Sequence, residues 1–376
     1  MVPAGGTPDL PRPATPSPWA ASPRRWPRPR LTPGILTAVQ DRYQLSWQGE
    51  PVDLGGSSNL NVHLPGDSGG YVLRVHRSWV SGPRLTVVQA VRSRLVRAGL
   101  PFLEPIQTRD QQGWLELDGH HLLEVEKYVW GEDMEMGDRL LASMPMLARI
   151  HDELSRIDAG PAARQAPSAN HVEARLALDS TSRAAAAIRG WAVSPEEERI
   201  ATLSEQLARK LQLAERPYVG ALPRQLVHGD FWDNNVRFRD LEIVAVLDLD
   251  FMEERPRIDD LALTLYYVNS TLGPDHGASE RVAALRSLVR AYDSALEQPL
   301  SSAERAALPF AIARTVLAFT RHLALRDSED EQRKVAMAWS SDLDWSLEMV
   351  RDGERWQHAF AGPWTAGPPY EASRVT

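Results

Sequence analysis

Hydrophobic and polar positions divide the chain into stretches of different period. Residues 1–33 have no period. Ten of the 28 prolines fall there, and proline supports neither a helix interior nor a central strand, so this stretch reads as a disordered, extended tail. Residues 34–127 are mixed. Ile35 to Tyr43 have weak helical spacing. Val52–Leu64 and the run Tyr71-Val72-Leu73-Arg74-Val75 are strand-like and are separated by Pro65-Gly66-Asp67-Ser68-Gly69-Gly70, which is a hairpin pattern. Arg84–Ala98 predicts a helix with Val87, Val88, Val91 and Leu95 on one side, stopped by Gly99. Trp114–Leu117 and Leu122–Val125 flank Asp118-Gly119, a second hairpin signal. Together these predict a small sheet carrying one helix.

Residues 128–352 read as mainly helical. Leu140, Leu141, Met144, Leu147, Ile150 and Leu154 recur at helical spacing, with Pro145 as a point of kinking. Ser194, Pro195 and Glu197 form a capping-box signature for a helix to about Leu213, and Ser301 with Glu304 repeats it for one reaching about Leu325. Between them lies a β-like island, Gln225–Val227, Val236–Phe238 and Ile243–Leu249. Residues 353–376 contain Gly and Pro and read as a loose tail. The expected division is therefore a 1–33 tail, a 34–127 domain, a 128–352 domain and a 353–376 tail.

Composition narrows the possible functions. With 43% hydrophobic and 24% charged residues over 376 positions, the chain resembles an ordinary globular protein of about two domains. It has no cysteine, which removes disulfides, thiolate nucleophiles, iron–sulfur clusters and Cys-ligated zinc. No apolar run approaches ~18 residues, and no apolar signal segment opens the chain, so the expectation is a cytoplasmic protein with no membrane partner. The net charge of −8 argues against nucleic acid as a partner. Residues 1–33 carry five arginines against one aspartate, so the remainder is more acidic than the total. That slightly favours a cationic small-molecule partner. There is no P-loop, G-x-G-x-x-G, G-x-S-x-G or H-E-x-x-H motif.

The chemistry-bearing region is Leu226-Val227-His228-Gly229-Asp230-Phe231-Trp232-Asp233-Asn234-Asn235-Val236, followed by Asp248 at the end of Val244-Ala245-Val246-Leu247. An apolar strand delivers His-Gly-Asp into a loop, the chain returns at Val236, and a second strand ends on Asp248. Two short strands joined by a turn bring Asn235 and Asp248 to one end of a hairpin. An amide oxygen and a carboxylate are hard ligands suited to Mg²⁺, and Asp230 on the loop can accept a proton from a hydroxyl nucleophile. These are the parts of kinase-type phosphoryl transfer.

This arrangement resembles the aminoglycoside phosphotransferase, choline kinase and homoserine kinase superfamily. His-Gly-Asp is followed by Asn five residues after the Asp and then by a strand ending in Asp. The resemblance runs over roughly residues 50–270 and is nearest the homoserine kinase-like branch over His228–Asp260. It implies an α+β, two-lobed protein-kinase-like fold, with a small antiparallel-sheet N-terminal lobe and a larger helical C-terminal lobe, binding ATP and Mg²⁺. Asp230 would be the catalytic base, and Asn235 and Asp248 would hold the metal. Gly55, Gly56, Ser57, Ser58 and Asn59 resemble the loop over the nucleotide phosphates, and Arg74 the strand residue that meets them. Glu126 and Tyr128 lie in a segment resembling the hinge that holds adenine by backbone groups. Leu147 to His151 resembles a family helix ending in Leu-His, and Asp260-Leu261-Ala262 the family's Asp-Leu-Ala, whose Asp braces the catalytic loop.

Two departures stand out. The strand residue is often Lys, and here it is Arg74. The partner helix usually supplies a Glu, yet residues 84–100 contain no acid and Gln89 is the nearest polar candidate. Simpler readings stand beside these roles. Asp259 and Asp260 could cap the helix that follows. His151 reads as a hydrogen-bonded core histidine and His228 as a loop-fixing residue. Trp232 could wall an acceptor site. Asp250, Glu253 and Glu254 fit either an acceptor lining or surface charge.

The expected function is ATP-dependent O-phosphorylation of a small molecule bearing a hydroxyl: an antibiotic, amino alcohol or sugar. One alternative is a kinase acting on Ser or Thr of a precursor peptide in natural-product (lanthipeptide- or thioamitide-type) biosynthesis. Another is a nucleotide-binding pseudokinase.

Overall fold

The computed structural model describes residues 28–56, 59–66, 69–117, 121–158, 160–164, 170–272, 277–324, 326, 328–362 and 364. The readings placed on residues 1–27, on Ser57, Ser58, Asp67 and Ser68, and on Asp118 and Gly119 lie outside them. The chain forms two compact units. The first ends at Gly82 and takes back Pro105–Val129; the second holds Pro83–Glu104 and the chain from Trp130 onward.

The first described helix of this unit is α1 (Pro33–Tyr43), which covers the helical spacing of Ile35 to Tyr43 and takes in Pro33 from the expected tail. Thr32 caps it by accepting the Ile35 amide, and Pro33 sits where a missing N–H costs nothing. Arg28 is ordered too, with its guanidinium on Asp53 and on the carbonyls of Gly55 and Asn59. The sheet is antiparallel in the order β1-β2-β3-β5-β4, from β1 (Val52–Gly55), β2 (Leu60–Leu64), β3 (Tyr71–Val75), β4 (Leu115–Leu117) and β5 (His121–Lys127). Strand alternation sorts its residues. Leu73, Val75, Leu123 and Val125 share a core with Ile35, Val39 and Tyr43 of α1. The alternate positions Arg74, His76, Glu124 and Glu126 are buried and polar. The helix whose residues join the sheet's core is thus α1.

Helix α2 (Gly82–Arg97), the helix that the sequence reading put on this sheet, groups almost wholly with the second unit. The reason is chemical. Buried Arg84 donates to the carbonyls of Asp250 and Met252 at 2.6 and 2.7 Å, and to that of Ala162 at 3.2 Å. Just beyond α2, the Val246 amide donates to the Pro101 carbonyl at 2.7 Å.

The rest of the second unit is helical around two small ladders. Its helices are α3 (Asp138–Leu154), α4 (Pro161–Arg164), α5 (Ala177–Arg189), α6 (Pro195–Glu215), α7 (Arg257–Leu272), α8 (Ala278–Ala295), α9 (Ser302–Thr315), α10 (Phe319–Ala324), α11 (Glu329–Ala338), α12 (Ser340–Arg351) and α13 (Gly353–Phe360). Both capping boxes form, Ser194 with Glu197 and Ser301 with Glu304. The helix opened by Ser301 is interrupted by a 3₁₀ turn, Val316–Ala318, before α10. Strand β6 (Arg224–Val227) pairs with β9 (Glu253–Pro256), and β7 (Val236–Arg239) with β8 (Glu242–Val246). Strand β9, sequence Glu-Glu-Arg-Pro, has no apolar signature and exists because β6 offers it a ladder. α7 is buried nearly all round. Among the described residues no helix is long and apolar enough to cross a membrane.

Helix α13 corrects the loose-tail reading over Gly353–Phe360, while residues 363 and 365–376 lie outside the described residues. The prolines responsible, Pro363, Pro368 and Pro369, all follow it, whereas Trp356 and Phe360 sit one turn apart at 6% and 0% exposure. Phe360→Ala should cost about 3 kcal/mol, seen as a lower urea midpoint. An unchanged midpoint would mean that α13 contributes no core.

Candidate active site

The loop after β6 is held from below by one carboxylate. Asp260, in the first turn of α7, accepts the backbone amides of His228 at 3.0 Å and Gly229 at 2.9 Å. It also takes His151 Nε2 at 3.0 Å, and Arg255 lies 3.7 Å away. Burial by itself would raise its pKa. The His151 hydrogen bond and the charges around it win, holding the carboxyl at about 2. The second nitrogen of His151 meets the Tyr292 hydroxyl at 2.6 Å, so this histidine is a satisfied core group.

Gly229 has φ +88, and a Cβ there would lie 2.1 Å from the Phe251 carbonyl oxygen; only glycine fits. His228 is fully buried, and burial lowers its pKa, which favours the neutral ring. Its Nδ1 accepts the Asp230 amide at 3.3 Å, which leaves Nε2 to donate to the Leu247 carbonyl at 3.1 Å. His228 thereby ties the loop to the end of β8, as its loop-fixing reading expected.

Above this brace the structure brings Asp230, Asn235 and Asp248 to one place. Asn235 Nδ2 donates to the Asp230 carbonyl at 2.9 Å and to its Oδ2 at 3.1 Å. The Leu247 amide donates to the Asn235 carbonyl at 2.8 Å, extending the β7–β8 ladder, so Asp248 follows directly at the hairpin end that carries Asn235. Asp248 has φ +62, and its Oδ1 accepts the Asp250 amide at 3.1 Å. Asn170 donates to Asp230 Oδ1 at 3.1 Å. Sequence reasoning missed Asn170, since a lone Asn in a polar stretch carries no signal.

The donor set fits Mg²⁺. Both amide hydrogen bonds of Asn235 go to Asp230, which leaves Asn235 Oδ1 without a hydrogen-bond partner among the described residues. An amide oxygen and a carboxylate at one hairpin end are hard ligands. Among the described residues no cluster of three or more His, Cys, Asp or Glu forms a complete cage. Two protein ligands, with phosphates and water making up the rest, is a common way of holding Mg²⁺.

The residues matched to nucleotide contacts lie in the first unit. Gly55 and Gly56 have φ +86 and +106 at the end of β1. Asn59 is buried, and its side chain accepts the amide and Nε of Arg77 at 3.0 and 3.3 Å. Arg74 lies directly across the ladder from Glu124 and 4.0 Å from Glu126. An acid therefore does stand beside the strand arginine, supplied by strand β5. The Tyr128 amide donates to the Gly70 carbonyl at 3.1 Å, and its ring lies 4.2 Å from that of His63. The amide of this hinge-like residue is therefore committed to the sheet.

Trp232 leans on Tyr267, ring centres 5.2 Å apart. Burial, then the charge of Asp230, pushes the Tyr267 hydroxyl upward. Asp250 is buried. Glu253 lies 3.1 Å from Arg255, and Glu254 is 4.0 Å from Arg224. Asp259 does not cap α7; it binds Arg314 at 2.6 Å.

The depressed pKa of Asp260 has a signed consequence. A carboxyl whose folded pKa lies below its unfolded value stabilises the fold above the unfolded value and loses that contribution as pH falls through the folded one. Asp260→Asn should lower stability by ~3 kcal/mol at pH 6. The gap from wild type should shrink by roughly a third by pH 3. Urea unfolding of both proteins across this range checks it, and a gap constant with pH would contradict it.

Comparisons with known proteins show the fold and the family. Among solved structures, an amicoumacin kinase in complex with AMP-PNP, Ca²⁺ and Ami superposes with a TM-score of 0.61 at 16% identity, over 83% of this chain and 93% of that one. A microcompartment-associated aminopropanol kinase gives 0.61 at 17%, over 87% and 98%. An aminoglycoside phosphotransferase from Alicyclobacillus acidocaldarius gives 0.59 at 10%, over 88% and 97%. The fold is thus the protein-kinase-like α+β fold of these enzymes. A homoserine kinase from Phenylobacterium zucineum is 35% identical over 108 residues, which is 28% of this chain. That match spans only 31% of the relative's length. The profile described as the phosphotransferase enzyme family matches residues 50–298, two-thirds of the chain, and the chain belongs to that family.

Proposed function

We propose that this protein transfers the γ-phosphoryl group of ATP to a hydroxyl of a small molecule in an Mg²⁺-dependent reaction. The observation that carries the reading is the joining of Asp230, Asn235 and Asp248. The Asn235 amide nitrogen binds Asp230, its oxygen has no partner among the described residues, and Asp248 stands at the same hairpin end. In this reading Asn235 Oδ1 and the Asp248 carboxylate would hold the metal, which would supply positive charge to the transferring phosphates. Asp230 accepts the hydroxyl proton of the acceptor. The acceptor oxygen bonds to phosphorus as the β–γ bridging bond breaks, and ADP leaves. Asn235 keeps the Asp230 carboxylate turned toward its task.

Gly55, Gly56 and Arg74 are the proposed phosphate contacts of the first unit, with Glu126 setting the direction of Arg74. Asn59, whose side chain is spent on Arg77, contributes to the shape of that loop. Trp232 against Tyr267, next to Asp230, gives the acceptor an aromatic neighbour.

The test is ADP release from Mg·ATP against a panel of amino alcohols, sugars, aminoglycosides and Ser/Thr peptides. One class of small alcohol should stimulate release, and Asp230→Asn should lower kcat at least ~100-fold. Stimulation by peptides alone would replace the small-molecule acceptor with a peptide. Equal rates for wild type and Asp230→Asn would refute the role of Asp230.

A further inference from the structure

We infer that Asn170 is a positioning residue for Asp230, held in place by the same turn of α7 that braces the loop carrying Asp230. The inference rests on the phosphotransfer reading above. An aspartate carboxyl rotates easily about its last bond. Here it is gripped from two sides, with Asn235 on Oδ2 at 3.1 Å and Asn170 on Oδ1 at 3.1 Å. Asn235 belongs to the same loop as Asp230. Asn170 comes from 60 residues earlier in the chain, and the described residues 170–173 form no helix or strand, so its position rests on tertiary contacts.

The holding groups are charged, with Arg314 buried and Arg321 half-buried. Arg321 donates to the His171 carbonyl at 2.9 Å, and Arg314 to the Val172 carbonyl at 2.5 Å. Arg314 is fully engaged, with Glu215 of α6 at 2.8 Å and Asp259 of α7 at 2.6 Å. Asp259 also stands 3.5 Å from the His171 ring. Two adjacent acids thus divide the work. Asp260 sets the loop that carries Asp230, and Asp259, through Arg314, sets the strand of chain that carries Asn170. Because both acids belong to one helical turn, the carboxylate and its second amide partner share a common reference frame.

Fixing the plane of the carboxylate matters for rate. A displacement of about 1 Å at a reacting group can cost on the order of 100-fold. The Mg·ATP contacts proposed above are Gly55, Gly56, Arg74, Asn235 and Asp248, and Asn170 is not among them, so its loss should fall on kcat.

The experiment compares Asn170→Ala, Asn170→Gln and Asn170→Asp with wild type in Mg·ATP turnover, using the stimulating acceptor, or water if none is found. Asn170→Ala should lower kcat about tenfold, with KM for Mg·ATP within about twofold. Asn170→Gln, which keeps the amide, should recover part of the loss. Asn170→Asp, which keeps the shape but sets a negative charge against Asp230, should be the slowest. A packing role predicts the reverse order, with Asn170→Asp nearest wild type, and that result would overturn the inference.

A second readout does not depend on turnover. The side-chain NH₂ resonances of Asn170 in ¹⁵N-asparagine-labelled protein, assigned by their loss in Asn170→Asp, should move when Asp230 is replaced by Ala. Unmoved resonances would overturn the inference even in an active enzyme. Moved resonances in a protein without turnover would uphold the contact and count against phosphotransfer alone.

Discussion

The structure of the site depends on one buried carboxylate. Asp260 receives two consecutive backbone amides, a histidine N–H and the field of an arginine. A neutral side chain could not satisfy these donors together, since each points at the place where negative charge sits. The result is a loop whose backbone is fixed from beneath while the Asp230 and Asn235 side chains remain half-buried above. Burying a charge is costly unless it is fully paired. Here the pairing converts that cost into positional definition, because leaving any donor unpaired would be more costly still.

Other details serve the same end. Gly229 passes so close to Phe251 that no side chain fits. His228 stays neutral, accepting from Asp230 and lying against the Leu247 carbonyl. Left-handed backbone recurs at Gly229, Asp233 and Asp248, all within twenty residues. Non-glycine residues rarely take that conformation, and a cluster of them marks a place where surrounding structure overrides local preference. Arg84 reaches in from α2 to hold the carbonyls just past Asp248. That explains why α2 groups with the second unit.

In the first unit the departures from the superfamily pattern have a local answer. Residues 84–100 lack an acid, but β5 places Glu124 and Glu126 on the same side of the sheet as Arg74 and His76. His76 and Glu124 are themselves 3.5 Å apart. Strand alternation puts an arginine, a histidine and two glutamates on one face and the aliphatic core on the other. A strand partner is held by the ladder itself, so it needs no movement of a helix to come into place.

How much of this was legible in the sequence depended on distance along the chain. Local rules sufficed where partners are close. The capping boxes at Ser194 and Ser301, the β7–β8 hairpin, and the meeting of Asn235 with Asp248 all follow from residues within about fifteen positions of each other. The alternation of Arg74-Val75-His76 and Glu124-Val125-Glu126 is also readable, but which strand stands beside Arg74 is not. What only the tertiary structure decided lies between residues far apart: β9 pairing with β6, α1 rather than α2 joining the core of the sheet, α13 burying Trp356 and Phe360, and Asn170 reaching Asp230. In each case the sequence leaves several partners open. The choice among them is made by packing and by the requirement that buried polar groups find each other, which no local pattern encodes.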